Sequence, residues 1–109
     1  MLRIAVLGAG RIGRIHAGNA AASPEARLVG VADVDRSAAE QVAAAHGARA
    51  DAADSLIAAN DVDAILICTP TDTHADLIER ATAAGKSVFC EKPVDLSSDR
   101  IRACLRKVD

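Results

Sequence analysis

The feature that most constrains the fold is a glycine-rich hexapeptide, GAGRIG at residues 8–13, which lies between two segments of different periodicity. The apolar run Leu2–Leu7 before it is typical of a buried strand. Residues 11–22 after it predict a helix, which ends before Ser23-Pro24 because a residue that precedes proline is pushed out of the helical region. Glycines spaced as GxGxxG at a strand-to-helix junction favour a tight turn whose backbone can approach a phosphate group.

The rest of the chain continues this alternation of short apolar runs and alanine-rich amphipathic segments, which is typical of a parallel sheet covered by helices. Further strands are predicted at residues 27–32, 48–50, 64–68 and Ser87–Cys90, and further helices at residues 37–46, 54–59 and 73–84. Apolar residues at helical spacing near the C-terminus predict a last helix that begins at Ser97 or Ser98. We therefore predict an α/β fold, a Rossmann-type doubly wound parallel sheet of about five strands in the order 3-2-1-4-5.

Composition limits the domain count and the classes of partner. A chain of 109 residues has the length of one domain. Together with the glycine loop, this length predicts that residues 1–109 form a single dinucleotide-binding domain. A net charge of -2 without a basic block argues against nucleic acid as a partner. The apolar N-terminal run is too short to span a membrane. Three cysteines without a CxxC pair predict reduced thiols and a cytoplasmic location, and no metal site is expected.

The glycine loop and an acidic residue downstream together predict a nucleotide site. Five loop residues are expected to hold the phosphates, namely Gly8, Gly10, Arg11, Ile12 and Gly13. Asp33 ends the predicted second strand, where a carboxylate accepts hydrogen bonds from the adenosine ribose hydroxyls and opposes a 2′-phosphate, so NAD is favoured over NADP. Arg36 leaves an alternative open, since it could reach a 2′-phosphate or stack beside the adenine. Asp33 could also simply cap the next helix.

Four motifs resemble those of the Gfo/Idh/MocA oxidoreductases, and within them the inositol 2-dehydrogenase-like members. They are GAGRIGRIH at residues 8–16, Val31-Ala32-Asp33, Cys68-Thr69-Pro70 followed by His74, and Glu91-Lys92-Pro93. The last motif is the most specific, because a generic Rossmann protein has no reason to carry it after its fifth strand. The resemblance covers essentially the whole chain but only the N-terminal third or so of a typical member.

The resemblance implies roles for residues after the fourth and fifth strands. Thr69, Pro70 and His74 would line the path of the cofactor, and Glu91 would lie near the nicotinamide ribose. Lys92 matches the active-site lysine of the family, and an ammonium group beside an oxidised nicotinamide could donate to the substrate oxygen or move a proton during alcohol oxidation. Alternative interpretations remain for two of these residues: Lys92 could be a surface lysine in a turn, and His74 could merely begin its helix.

The sequence thus predicts the cofactor-binding domain of an NAD-dependent dehydrogenase that oxidises a polyol or sugar such as an inositol. The C-terminal substrate domain of the family is not among the 109 residues, so independent turnover by this chain is in doubt. Two other hypotheses remain: a stand-alone NAD(H)-sensing regulatory module without catalysis, and a scaffold whose nucleotide site is vestigial. We also expect a homo-oligomer, because the outer edge of the fifth strand would be unpaired.

Overall fold

The computed structural model describes residues 1–69 and 73–90, and it confirms the predicted alternation of strands and helices. In chain order these residues form β1 (Leu2–Leu7), α1 (Arg11–Ala22), β2 (Ala26–Ala32), α2 (Arg36–Ala45), β3 (Arg49–Ala50), α3 (Ala53–Ala58), β4 (Ala64–Ile67), α4 (His74–Ala83) and β5 (Ser87–Cys90). The observed bounds differ from the predicted bounds by at most one residue at each end. The expected C-terminal helix lies outside the described residues.

The strands form one parallel sheet in the order β3-β2-β1-β4-β5, as the sequence predicts. β1 is central, with β2 on one side and β4 on the other. From β1 the chain first extends the sheet on one side, through β2 and β3, and then on the other side, through β4 and β5. In such sheets the ligand site lies outside the carboxyl ends of the strands at this switch point.

Each face of the sheet carries its own apolar layer, because successive side chains of a strand point to opposite faces. Leu2, Ile4 and Val6 of β1 lie in a cluster with α1 and α2, whereas Ala5 and Leu7 lie in a second cluster with α3 and α4. Small alanines in the helices allow the helix backbones to approach the sheet closely. The doubly wound architecture thus buries β1 on both faces. No helix in the described ranges is long and apolar enough to cross a membrane.

Polar side chains fasten the amino-terminal end of the sheet, opposite the carboxyl ends. Asp63 accepts hydrogen bonds from the Arg3 main-chain N–H at 3.0 Å and from the Arg3 guanidinium at 2.9 and 3.1 Å. The hydrogen bond from the Arg3 side chain is the main cause of a lowered pKa of the Asp63 carboxyl. Lys86 donates to the carbonyl oxygens of Ala59 and Val62 at 2.5 and 2.6 Å. These contacts hold the starts of the strands in place.

Candidate dinucleotide site

The carboxyl end of β1 leads directly into α1 through the glycine loop. Gly10 is the N-cap residue of α1 and provides no side-chain cap. The first N–H groups of a helix have no partner within the helix, and the helix dipole places partial positive charge at the same end. Arg11 and Ile12 are both exposed in this first turn. The helix end therefore has the donors and the field that an anionic phosphate requires.

Gly8 lies between the end of β2 and the residues that follow β4, the two strands that flank β1. Its φ of +106° lies in a region that side chains other than glycine rarely adopt, and an added Cβ would lie 2.6 Å from the carbonyl oxygen of Cys68. Its N–H donates to the carbonyl oxygen of Ala32 at 2.7 Å. Gly8 therefore makes the tight turn that brings the loop against both β2 and β4.

The other two glycines of the motif differ in what surrounds them. A Cβ on Gly13 would overlap the carbonyl oxygen of Gly8, so Gly13 allows α1 to lie against the loop. Among residues 1–69 and 73–90, no atom would lie within 4 Å of a Cβ on Gly10, and the φ of Gly10, -74°, suits any residue. Packing among these residues therefore gives no reason for a glycine at position 10. The open space above it fits a group that approaches the backbone from outside, as the pyrophosphate of a dinucleotide would.

Asp33 lies immediately after β2, and one oxygen of its carboxylate contacts the glycine loop. Oδ2 accepts from the Ala9 N–H at 2.6 Å, and Oδ1 accepts from the Asp35 N–H at 2.8 Å. A carboxylate has about four lone-pair sites, so two remain for further donors such as ribose hydroxyls. The alternative interpretation of Asp33 as the helix cap is wrong, because Asp35 is the N-cap of α2 and accepts from the Ala38 N–H at 3.2 Å.

The Arg36 side chain contacts β3 and its own helix, α2. Its guanidinium donates to the carbonyl oxygen of Ala50 at 3.4 Å and lies 3.8 Å from the Glu40 carboxylate. The Arg36 side chain is 65% exposed, so both contacts are weak and easily exchanged for water. A nearby carboxylate also offsets part of the arginine charge that a 2′-phosphate would need.

At the end of β4, Thr69 stands beside the Gly8 turn, since a Cβ on Gly8 would lie 3.0 Å from the Thr69 nitrogen. The Thr69 hydroxyl lies 2.6 Å from the Thr73 hydroxyl, just before α4. His74 is the first residue of α4. The predicted site residues Pro70, Glu91 and Lys92 lie outside the described residues, so their roles stay predictions.

The structure thus brings the glycine loop, Asp33 and Thr69 to one edge of the sheet. Two residues that the sequence analysis did not single out contact them. Ala9 contacts Asp33 through its main-chain N–H, and no side-chain pattern in a sequence marks such a contact. Thr73 pairs with Thr69, and the available signal was a hydroxyl residue at the start of a predicted helix. His16 on α1 is half-buried, and within the described ranges its Nδ1 has no hydrogen-bond partner.

Comparisons with known proteins agree with this geometry. The family GFO_IDH_MocA, described as "Oxidoreductase family, NAD-binding Rossmann fold", matches residues 2–109. The chain is similar to the inositol 2-dehydrogenase of Rhizobium meliloti (strain 1021), with 55% identity, and to the scyllo-inositol 2-dehydrogenase (NAD(+)) of Bacillus subtilis (strain 168), with 44% identity. Each alignment covers 98% of this chain and 32% of the relative, so the chain spans about a third of the length of these relatives.

A solved structure is similar over the same extent. The myo-inositol dehydrogenase from Corynebacterium glutamicum ATCC 13032 superimposes with a TM-score of 0.80 and 49% identity, over 99% of this chain and 33% of that protein. The resemblance found from the sequence motifs is therefore confirmed, as is the assignment of NAD as the cofactor. The chain belongs to the Gfo/Idh/MocA oxidoreductase family and forms its NAD-binding Rossmann domain.

Proposed function

We propose that this chain supplies the NAD site of a dehydrogenase that oxidises a CH–OH group of a polyol or sugar, with an inositol as the leading candidate. The observation that carries the proposal is the open space at Gly10, at the N-terminus of α1 and next to the Asp33 carboxylate. Phosphate donors and a ribose acceptor therefore lie side by side. The substrate class is supported by similarity to relatives named as inositol dehydrogenases.

In this proposal the described residues bind and select the cofactor. The first N–H groups of α1 hold the pyrophosphate, and Asp33 accepts from the adenosine ribose hydroxyls. The Asp33 carboxylate also opposes the second negative charge of a 2′-phosphate, which favours NAD. NAD, when bound, supplies the hydride acceptor for the carbon that is oxidised.

The proposal gives the proton chemistry to Lys92. As the CH–OH carbon loses a hydride and becomes a carbonyl carbon, the hydroxyl proton must leave, and we assign its acceptance or relay to the Lys92 amine because Lys92 matches the active-site lysine of the family. In this proposal Thr69, Pro70 and His74 line the path of the cofactor, and Glu91 lies near the nicotinamide ribose. A stand-alone sensing module would need only the glycine loop and Asp33.

A chimera tests this function. This chain would replace the N-terminal third of the Rhizobium meliloti inositol 2-dehydrogenase, to which it is 55% identical. We expect NADH to form from NAD and myo-inositol, and we expect Lys92→Ala to reduce the rate at least about a hundredfold while NAD binding, measured by calorimetry, persists. A chimera that binds NAD and oxidises no inositol or related polyol would contradict the proposal. Full activity of the Lys92→Ala chimera would remove the lysine from the chemistry.

We also propose a homo-oligomer and a cytoplasmic location. Within the described residues β5 pairs only with β4, and an unpaired strand edge invites association between copies. The three cysteines without a CxxC pair support a reducing compartment. Sedimentation velocity over a range of protein concentrations tests the first proposal, and a monomer at every concentration would contradict it.

A further inference from the structure

We propose that Asp33 is a positioning residue for the glycine loop: its carboxylate holds the Ala9 N–H and fixes the loop in its binding shape before any dinucleotide arrives. This inference rests on the proposed NAD function, but it assigns Asp33 a task that ribose recognition does not require. Asp33 would then affect every ligand of the loop, including a ligand that carries no ribose hydroxyls for the carboxylate.

The hydrogen bond that carries the inference is short and shielded. The Ala9 nitrogen lies 2.6 Å from Asp33 Oδ2, and hydrogen bonds to an ionised carboxylate are shorter than those between neutral groups. Ala9 is only 2% exposed, so water has little access to its N–H if the carboxylate is removed. A buried donor left without a partner costs more than the net gain of an ordinary hydrogen bond. The loop would therefore have to change shape or carry that cost.

The carboxylate is itself held in place. Its other oxygen accepts from the Asp35 N–H at 2.8 Å, which fixes the orientation of the carboxylate plane. One residue earlier in the loop, the Gly8 N–H donates to the Ala32 carbonyl oxygen at 2.7 Å. Two consecutive loop N–H groups are thus bound to the end of β2, one by the backbone and one by the Asp33 side chain.

Ala9 is the residue through which this bond would act on the binding surface. It stands between Gly8, which is wedged against β4, and Gly10, where the open space begins. Within residues 1–69 and 73–90, the bond from Asp33 is the only side-chain hydrogen bond to residues 8–13. A loop ordered in advance loses less conformational freedom on binding, which strengthens affinity without any new contact to the ligand.

Binding to the full 109-residue chain can separate the two roles of Asp33. The probes are NAD and an NAD analogue whose adenosine ribose lacks both hydroxyls. The variants are Asp33→Ala and, as a matched control, Asp54→Ala, which removes the same charge from an exposed residue of α3 that has no hydrogen bond to the glycine loop or to Asp33. By calorimetry we expect Asp33→Ala to bind the analogue about five- to tenfold more weakly than the unaltered chain does, and Asp54→Ala to stay within about twofold.

If Asp33 acts only on ribose hydroxyls, the opposite result follows. The analogue would then bind Asp33→Ala as tightly as the unaltered chain, or more tightly, because the carboxylate would be desolvated beside a ligand that gives it no donors. That result would overturn the inference while leaving NAD binding by the unaltered chain intact. If the unaltered chain fails to bind NAD, the proposed function itself fails.

A measurement without ligand tests the positioning role independently. In amide exchange followed by NMR, we expect the Ala9 N–H of the unaltered chain to be protected, and Asp33→Ala to raise its exchange rate at least about tenfold while the β1 amides remain protected. If Asp33→Ala also loosens β1, Asp33→Asn replaces it, since its amide oxygen can still accept and should retain part of the protection. Unchanged exchange of Ala9 in a folded Asp33→Ala chain would overturn the proposal.

Discussion

At the residue scale, the three glycines of the loop have three different physical requirements. Gly8 needs a positive φ and a close approach to Cys68, and Gly13 needs room for the Gly8 carbonyl oxygen. Gly10 needs neither, because an added Cβ would meet no atom of the described residues within 4 Å. Substitutions at Gly8 and Gly10 should therefore separate stability from binding.

Gly10→Ala should weaken NAD binding at least about tenfold, because its methyl group would enter the space that the pyrophosphate needs. The free energy of unfolding should change by less than about 1 kcal/mol, since the φ of -74° is acceptable for alanine. Calorimetric titration and urea unfolding of the same preparation measure the two effects. Equal NAD affinity in both chains would show that the open space is not the pyrophosphate position.

Gly8→Ala should instead reduce the free energy of unfolding by about 2–4 kcal/mol. Its φ of +106° is strained for alanine, and the added methyl would lie 2.6 Å from the Cys68 carbonyl oxygen. Urea unfolding monitored by circular dichroism measures this loss. Stability equal to that of the unaltered chain would mean that the turn can relax at no cost.

Sequence reasoning identified Asp33 correctly as the acid at the end of β2, but not its contact with Ala9. A GxGxxG motif and a downstream carboxylate are visible because their side chains, or the lack of them, are specific. A main-chain N–H has no such signature, and which loop donor faces the carboxylate depends on the turn geometry. The sequence alone also does not distinguish Asp33 from Asp35 as the cap of α2, because the choice between two acids two residues apart depends on the backbone geometry. The structure shows that Asp35 is the cap.

At the scale of the elements, periodicity and turn residues were sufficient for every strand and helix within the described ranges. Gly47 and Gly85, which follow α2 and α4, both have positive φ, +69° and +80°. Register was not predictable. The pairing of β1 with β2 shifts between Ile4 and Ala5, so that Ile4 faces Leu28 and Ala5 faces Gly30. Such an irregularity depends on how the helices pack on the sheet. The alternation of apolar and polar residues along a single strand does not reveal it.

The pairing of β1 with β4 should depend on pH through Asp63. The hydrogen bond from Arg3 lowers the pKa of this carboxyl in the folded chain. A lowered folded-state pKa contributes stability above the unfolded-state value, about 3.9, and that contribution is lost as pH falls through the folded-state pKa. Asp63→Asn should therefore cost about 1 kcal/mol near pH 7 and progressively less below about pH 4.

Urea unfolding of the two chains across that pH range measures the difference. Asp76→Asn is the control, because this carboxylate is 70% exposed and pairs with Arg80 on the helix surface, where solvent screens the interaction. It should cost less than Asp63→Asn near pH 7. A deficit of Asp63→Asn that stays constant from neutral to acidic pH would contradict an ionic role for Asp63.

At the scale of the whole molecule, the strand order and the position of the glycine loop in the sheet were both predictable. Right-handed crossovers leave few arrangements for alternating strands and helices, and the order 3-2-1-4-5 places the glycine loop at the switch point beside β4. The role of Lys92 was inferred from resemblance and lies outside the described residues. Substrate choice was not predictable, because a polyol pocket requires several convergent polar groups, and this chain spans only about a third of its relatives.

Calorimetric titration of the chain with NAD and NADP tests most directly whether the Asp33 carboxylate makes this domain prefer NAD. We predict that NAD binds at least about tenfold more tightly than NADP, because the carboxylate accepts ribose hydroxyls and opposes the 2′-phosphate. Tighter binding of NADP than of NAD would contradict the claim and would indicate that Arg36 governs the site.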